Sequence, residues 1–133
     1  MKITLITACF NSKATISNAI ESVLSQKGVD IEYIVVDGGS KDGTVEVVEE
    51  LSRKERKDRK EGFEFKWISE KDRGMYDAIN KGIKMATGDV VGILNADDVL
   101  ASDETLAKIA AQFGERERGT GNEWSVFTRI FGL

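Results

Sequence analysis

Histidine is absent from this chain of 133 residues. The commonest general base near neutral pH and the commonest zinc ligand are thereby removed. Any chemistry must run on carboxylates, hydroxyls, backbone amides or a metal bound by oxygen. Cysteine occurs once, as Cys9, which excludes an internal disulfide framework and suits a reducing compartment. There is no basic surplus: 19 Lys and Arg against 23 Asp and Glu leave a net charge of -4. No strongly positive field therefore invites nucleic acid or an anionic membrane, and a nucleotide ligand needs local neutralisation instead. No apolar run approaches the roughly 20 residues of a membrane helix. Ile6-Thr7-Ala8-Cys9 has the look of a lipoprotein cleavage box, but the stretch from Met1 to Phe10 falls short of the roughly 15 to 30 residues of a signal peptide. It reads as a buried first strand. Neither G-x-G-x-x-G nor G-x-x-x-x-G-K-[ST] occurs, so dinucleotide and P-loop readings fail. The expected location is the cytoplasm, free or peripheral at the inner face of the membrane.

What is present is a globular composition, 41% hydrophobic and 32% charged, in a length that suits one domain. The organising stretch is Gly88 to Val99, GDVVGILNADDV. Val90 to Leu94 reads as a strand buried on both faces, and it stops abruptly at Asn95-Ala96-Asp97-Asp98. Adjacent carboxylates are costly to bury unpaired, so the pair is expected to face a cleft or hold a cation. Taken alone, an Asp-Asp after a strand is more often a solvated turn. The rest of the chain changes that weighting.

Strand and helix alternate. Lys2 to Ala8 is a strand, then Ile16, Ala19, Ile20, Val23 and Leu24 recur at helical spacing up to Gly28. Ile31 to Val36 is the next strand, and Val45, Val48 and Leu51 begin a helix capped by Asp42 or Thr44. The mixed-charge run Arg53 to Glu61 reads as a solvated helix end and linker. Phe63 to Ile68 alternates as a third strand. Met75, Ile79, Gly82, Ile83 and Ala86 mark a third helix, in which Met75, Tyr76 and Ile79 are expected as core contacts, although Tyr76 and Asp77 lie near enough to the rim to touch a ligand. Ser102 or Asp103 caps a fourth helix with the apolar face Leu106, Ile109, Ala110 and Phe113. Strands alternating with helices imply an α/β fold, a doubly wound and mostly parallel sheet with helices on both faces. Ligands bind such sheets at the carboxyl ends of the strands. The polar clusters lie there: Thr7 to Asn11, Asp37 to Ser40, Glu70 to Gly74 and Asn95 to Asp98. Trp67 is expected to pack on the sheet, and Cys9 to be a small buried side chain with nothing to activate it.

The segments TACFNSKATISNAIESVLSQ, EYIVVDGGSKDGT, ISEKDRGMYDAINKGIKMATGD and VVGILNADD resemble the four successive signatures of family 2 nucleotide-sugar glycosyltransferases of the Rossmann-like GT-A fold, most of all those of bacterial surface-polysaccharide assembly, the colanic-acid type included. The likeness covers Lys2 to Phe113. It implies an inverting, metal-dependent transfer of sugar from a nucleotide donor, expected to be a UDP-sugar, to a saccharide or lipid-linked acceptor. Asp37 matches the aspartate that bonds the donor base, Thr7, Ala8 and Asn11 the rim that lines the nucleoside, and Gly38, Gly39 and Ser40 the close backbone approach. One aspartate precedes the glycines where many relatives have two, so the base contacts are expected to differ.

By the same likeness Lys71, Asp72 and Arg73 fall at the donor's sugar and phosphates. Asn95, Asp97 and Asp98 occupy the DXD-type motif, where Mn2+ or Mg2+ is held, with Asp98 favoured as direct ligand and Asp97 as ribose partner. Residues 1–113 are then a donor-binding domain. Gly114 to Leu133 matches none of the acceptor half in which relatives carry the general base, so no catalytic base is assigned. In this divergent tail Trp124, Phe127, Ile130 and Phe131 allow a short helix, and Trp124, Val126 and Thr128 allow a strand. Its apolar residues are expected to cover a sheet edge or form a homo-oligomer contact. Two rivals stand beside this reading: a catalytically inactive nucleotide-sugar-binding or assembly module, and a receiver-type signalling domain with Asp37 as phosphoacceptor. The receiver needs an acidic pair where this chain has Thr7-Ala8-Cys9.

Overall fold

The computed structural model describes residues 1–58, 60–120 and 126–127. Five parallel strands form one sheet: β1 (Lys2–Cys9), β2 (Asp30–Asp37), β3 (Phe63–Ser69), β4 (Val90–Ile93) and β5 (Val126–Phe127). Their spatial order is β3-β2-β1-β4-β5. The chain therefore steps outward from β1 to β3 and then returns across β1 to place β4 on its other side. That reversal opens a crevice between the carboxyl ends of β1 and β4, where doubly wound sheets bind ligands.

The helices are α1 (Ile16–Leu24), α2 (Thr44–Asp58), α3 (Met75–Met85) and α4 (Thr105–Thr120). Strand parity decides which face each one covers. Ile3, Leu5 and Cys9 of β1 and Ile31, Tyr33 and Val35 of β2 point to one face, packed with Ile16, Ala19, Ile20 and Val23 of α1, Val48 and Leu51 of α2 and Leu106 of α4. Ile6, Ile34 and Val36 point to the other, where Ala78 of α3 meets them. Burying each Ile, Leu or Val among them stabilises the fold by about 1.5–3 kcal/mol. Trp67 packs against the first cluster, as its place in an alternating strand implies.

Element boundaries shift in places that matter. β1 runs through Cys9, one residue beyond the expected end, so Cys9 pairs with Asp37 in register. The charged run after Arg53 is helical up to Asp58, with Arg53 bonded to Glu49 one turn earlier at 2.6 Å. Asp42 accepts the amide of Thr44 at 3.0 Å and so begins α2. α4 extends past Phe113 to Thr120. Val126 and Phe127 pair with Val91 and Gly92 on the outer side of β4, which resolves those two positions as strand. Trp124, Thr128, Ile130 and Phe131, with the contact expected of them, lie outside the described residues.

Candidate active-site cleft

A cleft of about 780 Å³ opens at the crevice between β1 and β4. Its wall takes Ala8, Cys9, Phe10, Ser12 and Thr15 from the end of β1 and the start of α1, and Gly38 from β2. Lys71, Asp72, Gly74, Met75 and Ala78 come from the β3–α3 junction, and Asn95, Ala96 and Asp97 from the end of β4. All four polar clusters read from the sequence thus contribute to one cavity. The starts of α1 and α3 both open onto it, and helix amino termini favour negative charge.

Several expected contact residues support the wall from behind. Thr7 is fully buried and its hydroxyl meets that of Tyr33 at 2.8 Å, because its odd position turns it into the core face. Asp37 is 1% exposed. One carboxylate oxygen accepts from the amides of Gly39 and Ser40 at 3.0 and 2.8 Å and from the Ser69 hydroxyl at 2.8 Å. The other accepts from the Ser40 hydroxyl at 2.5 Å and the Cys9 thiol at 3.5 Å. A carboxylate offers about four lone-pair sites, so Asp37 is saturated by its own protein. Burial pushes its pKa up, but the bonds from Ser40, Ser69 and Cys9 outweigh that and hold it below the ordinary value. Cys9 shows the converse: burial, then the neighbouring Asp37 charge, raise its pKa, and the thiol stays protonated.

Asn11 and Ser40 also act between loops. Asn11 has a positive φ of 48°, donates its amide to Ser40 Oγ at 2.7 Å and accepts the Lys41 amide at 3.1 Å. Gly38 and Gly39 permit close approach. A Cβ on Gly38 would stand 2.7 Å from Asp72 Oδ2, and Gly39, at φ +90°, lies under the Lys71 backbone. The aspartate at the wall therefore sits where it does because Gly38 has no side chain.

Among the metal candidates, Asp97 is exposed on the cleft wall. Asp98 is half-buried beside it, accepting from Asn95 Nδ2 at 3.2 Å, and is not part of the wall. Neither aspartate takes part in an ion pair among the described residues. No cluster of three or more acidic or sulfur ligands occurs among the described residues. A pair of oxygen donors without a counter-charge fits a hard divalent cation that completes its shell with ligand phosphates and water. Arg73 is exposed, off the wall, and its amide bonds Asp77 Oδ2 at 3.0 Å.

Met75 and Tyr76 correct an expectation. They are not core contacts but 59% and 84% exposed, since in the first turn of α3 it is Ala78 that meets the sheet. Met75 lines the cleft, as do Phe10, Gly74 and Ala96 from within the polar clusters and Ser12, Thr15 and Ala78 from outside them. For the last three, proximity to the clusters was the only signal.

The sequence model of glycosyl transferase family 2 matches residues 4–121. This chain belongs to that family. It is 34% identical over 113 residues to the PGL/p-HBAD biosynthesis glycosyltransferase of Mycobacterium bovis, covering 85% of this chain and 42% of that protein. It is likewise 34% identical over 102 residues to the poly-beta-1,6-N-acetyl-D-glucosamine synthase of Staphylococcus epidermidis, covering 76% of this chain and 23% of that one. S. aureus TarS in complex with UDP-GlcNAc superposes with a TM-score of 0.73 at 28% identity, over 86% of this chain and 32% of TarS. The mannosyltransferase PcManGT of Pyrobaculum calidifontis, in complex with GDP-Man and Mn2+, gives 0.73 at 26% identity over 81% and 31%. The architecture is thus the Rossmann-like fold of GT-A glycosyltransferases. The chain spans less than half the length of these relatives. Family membership, with a buried and saturated Asp37, sets aside the receiver reading.

Proposed function

We propose that this chain is the donor-binding part of an inverting glycosyltransferase that takes a nucleotide-diphosphate sugar, a UDP-sugar by preference, and serves a saccharide or lipid-linked acceptor in surface-polysaccharide synthesis. The observation that carries the reading is the convergence of Lys71, Asp72, Asn95 and Asp97 on one cleft at the sheet's switch point. Relatives supply the ligand class: TarS binds UDP-GlcNAc and PcManGT binds GDP-Man with Mn2+.

Asp97 and Asp98 would hold Mn2+ or Mg2+, which when bound supplies Lewis-acid stabilisation of the leaving diphosphate. Asp97 faces the cleft, so it is the nearer of the two to that role. Lys71 and the starts of α1 and α3 offset diphosphate charge in a chain whose net charge is negative. Asp72, seated over Gly38, would accept from donor hydroxyls. Asp37, Asn11 and Ser40 hold the loops on which these groups stand. In the transfer, the acceptor oxygen bonds to the anomeric carbon as the carbon–oxygen bond to the diphosphate breaks, and a general base removes the hydroxyl proton. That base is assigned to none of the described residues. A protonated free thiol beside the cleft suits a reducing compartment, and we place the reaction in the cytoplasm. No helix of the described residues is long and apolar enough to cross a membrane.

Crystals soaked with UDP and manganese test the reading. Density for a diphosphate within reach of Asp97 and Lys71, with a cation beside Asp97, supports it, and an empty cleft at saturating ligand overturns it. With no general base assigned among the described residues, a binding module without turnover is the second reading. Nucleotide binding with no donor hydrolysis or transfer would favour that module.

A further inference from the structure

The cleft wall between β3 and α3 is a loop, Glu70 to Gly74, that carries Lys71 and Asp72 into the cavity. Loop tips of this kind are ordinarily the least ordered part of a fold. This one is gripped at several points. The Glu70 amide donates to the carbonyl of Asp37 at 3.0 Å. Lys81, on α3, reaches back so that its ammonium lies 3.1 Å from Glu70 Oε1, 3.4 Å from the Lys71 carbonyl oxygen and 3.8 Å from Asp77 Oδ2. Asp77 in turn accepts the Arg73 amide at 3.0 Å, and Asp72 accepts the Gly74 amide at 2.9 Å. Lys81 and Asp77 stand one turn apart on the same face of α3, the spacing at which side chains meet.

Lys81 does not line the cleft. It is 23% exposed, less than Glu70 at 58% or Asp77 at 37%. An isolated surface ion pair contributes little to stability. Here one ammonium joins two carboxylates and a main-chain carbonyl, and each of its partners belongs to the loop or to the residue that anchors it. We propose that Lys81 is a positioning residue that, through Glu70, Asp77 and the Lys71 carbonyl, fixes the loop presenting Lys71 and Asp72 to the donor. Its effect on the donor rests on the reading of the cleft as a nucleotide-sugar site, whereas its grip on the loop does not.

The test uses this chain with Lys81→Met, which removes the charge and keeps the length, Lys81→Arg, which keeps the charge, and Lys27→Met. The last breaks an exposed pair to Asp103 at 3.4 Å, elsewhere in the fold. Amide hydrogen exchange is followed residue by residue without ligand, and UDP affinity is then measured with Mn2+. Lys81→Met is expected to speed exchange at Arg73 and Gly74 about 10-fold while amides of β1 keep their rates. It should also weaken UDP binding about 10-fold, as loss of an outer partner does. Lys81→Arg should restore both to within about 2-fold and Lys27→Met should change neither.

Unchanged exchange at Arg73 and Gly74 overturns the proposal. So does faster exchange spread evenly over β1, or a freed loop with full UDP affinity. If the unaltered chain binds no UDP while Lys81→Met still frees the loop, the donor reading falls and the grip stands. Should Lys81→Met fail to fold, Glu70→Gln reports the same loop from an exposed position, with exchange at Arg73 and Gly74 about 3-fold faster expected and no change overturning it.

Discussion

Strand β2 carries a buried carboxylate near each end, and the two are held in opposite ways. Glu32, near the amino end, is fully buried and salt-bridged to Lys66 at 2.6 Å. It also accepts from Thr4 Oγ1 at 2.7 Å, the Thr87 amide at 2.8 Å and Thr87 Oγ1 at 2.9 Å, so it ties β1, β3 and the entry to β4 together. Asp37, at the carboxyl end, is equally buried but makes no ion pair among the described residues. Amides, hydroxyls and a thiol hold it. A full countercharge holds the carboxylate at the closed end of the sheet, and dipoles hold the one at the open end, where the cleft lies. Asp37 joins the ends of β1 and β3 through Cys9 and Ser69 and, through Gly39 and Ser40, also orders the loop that follows β2.

Breaking the lock should have the largest effect. Lys66→Met leaves Glu32 buried without its cation and is expected to cost about 3 kcal/mol in urea denaturation, with UDP affinity unchanged. Acid should show the same lock. Burial alone would raise the Glu32 pKa, but the bond from Lys66, then those from Thr87 and Thr4, bring it from 4.5 down to about 2. A depressed folded pKa means that the stabilisation is complete above pH 4.5 and fades as pH falls towards 2. The amount is on the order of 3 kcal/mol. In Lys66→Met that loss should begin at a higher pH, which acid-unfolding curves monitored by circular dichroism would show.

Two glycines sharpen the contrast. A Cβ on Gly88 would stand 2.7 Å from the Thr4 amide nitrogen and 2.9 Å from the Lys2 carbonyl oxygen, main-chain atoms that cannot give way cheaply. Gly88→Ala should cost about 2 kcal/mol and leave nucleotide affinity alone. At Gly38 the obstacle is the movable Asp72 carboxylate. Gly38→Ala should cost less than about 1 kcal/mol while weakening UDP binding about 10-fold. Equal stability losses in the two variants would erase the distinction between the ends. The smallest stability effect is expected for Asp97→Asn, within about 0.5 kcal/mol as for other exposed sites. The same change should abolish any gain in UDP affinity from Mn2+.

Much of this was legible before any coordinates. The apolar run Val90 to Leu94 and the alternating strand and helix periods are local signals, and they mark the sheet and all four rims correctly. Function per residue was harder to read. Thr7 and Ala8 are neighbours, yet only strand parity sends one into the core and the other to the cleft. Asp37 and Asp97 both follow an apolar strand, but Asp37 ends beside Cys9 and Ser69 in register, a partnership that depends on strand order. Glu32 looks like an ordinary alternation in a strand, because its cation lies 34 residues away on β3. The cleft-facing Met75 was hidden by helical periodicity, which groups it with the core-facing positions although a cavity lies beside it.

The central claim is tested most directly by calorimetric titration of UDP into the folded chain, with and without Mn2+. The account predicts saturable, near-stoichiometric heat that depends on the metal and is lost in Asp97→Asn. Folded protein that releases no more heat with UDP and Mn2+ than with UDP alone would contradict it.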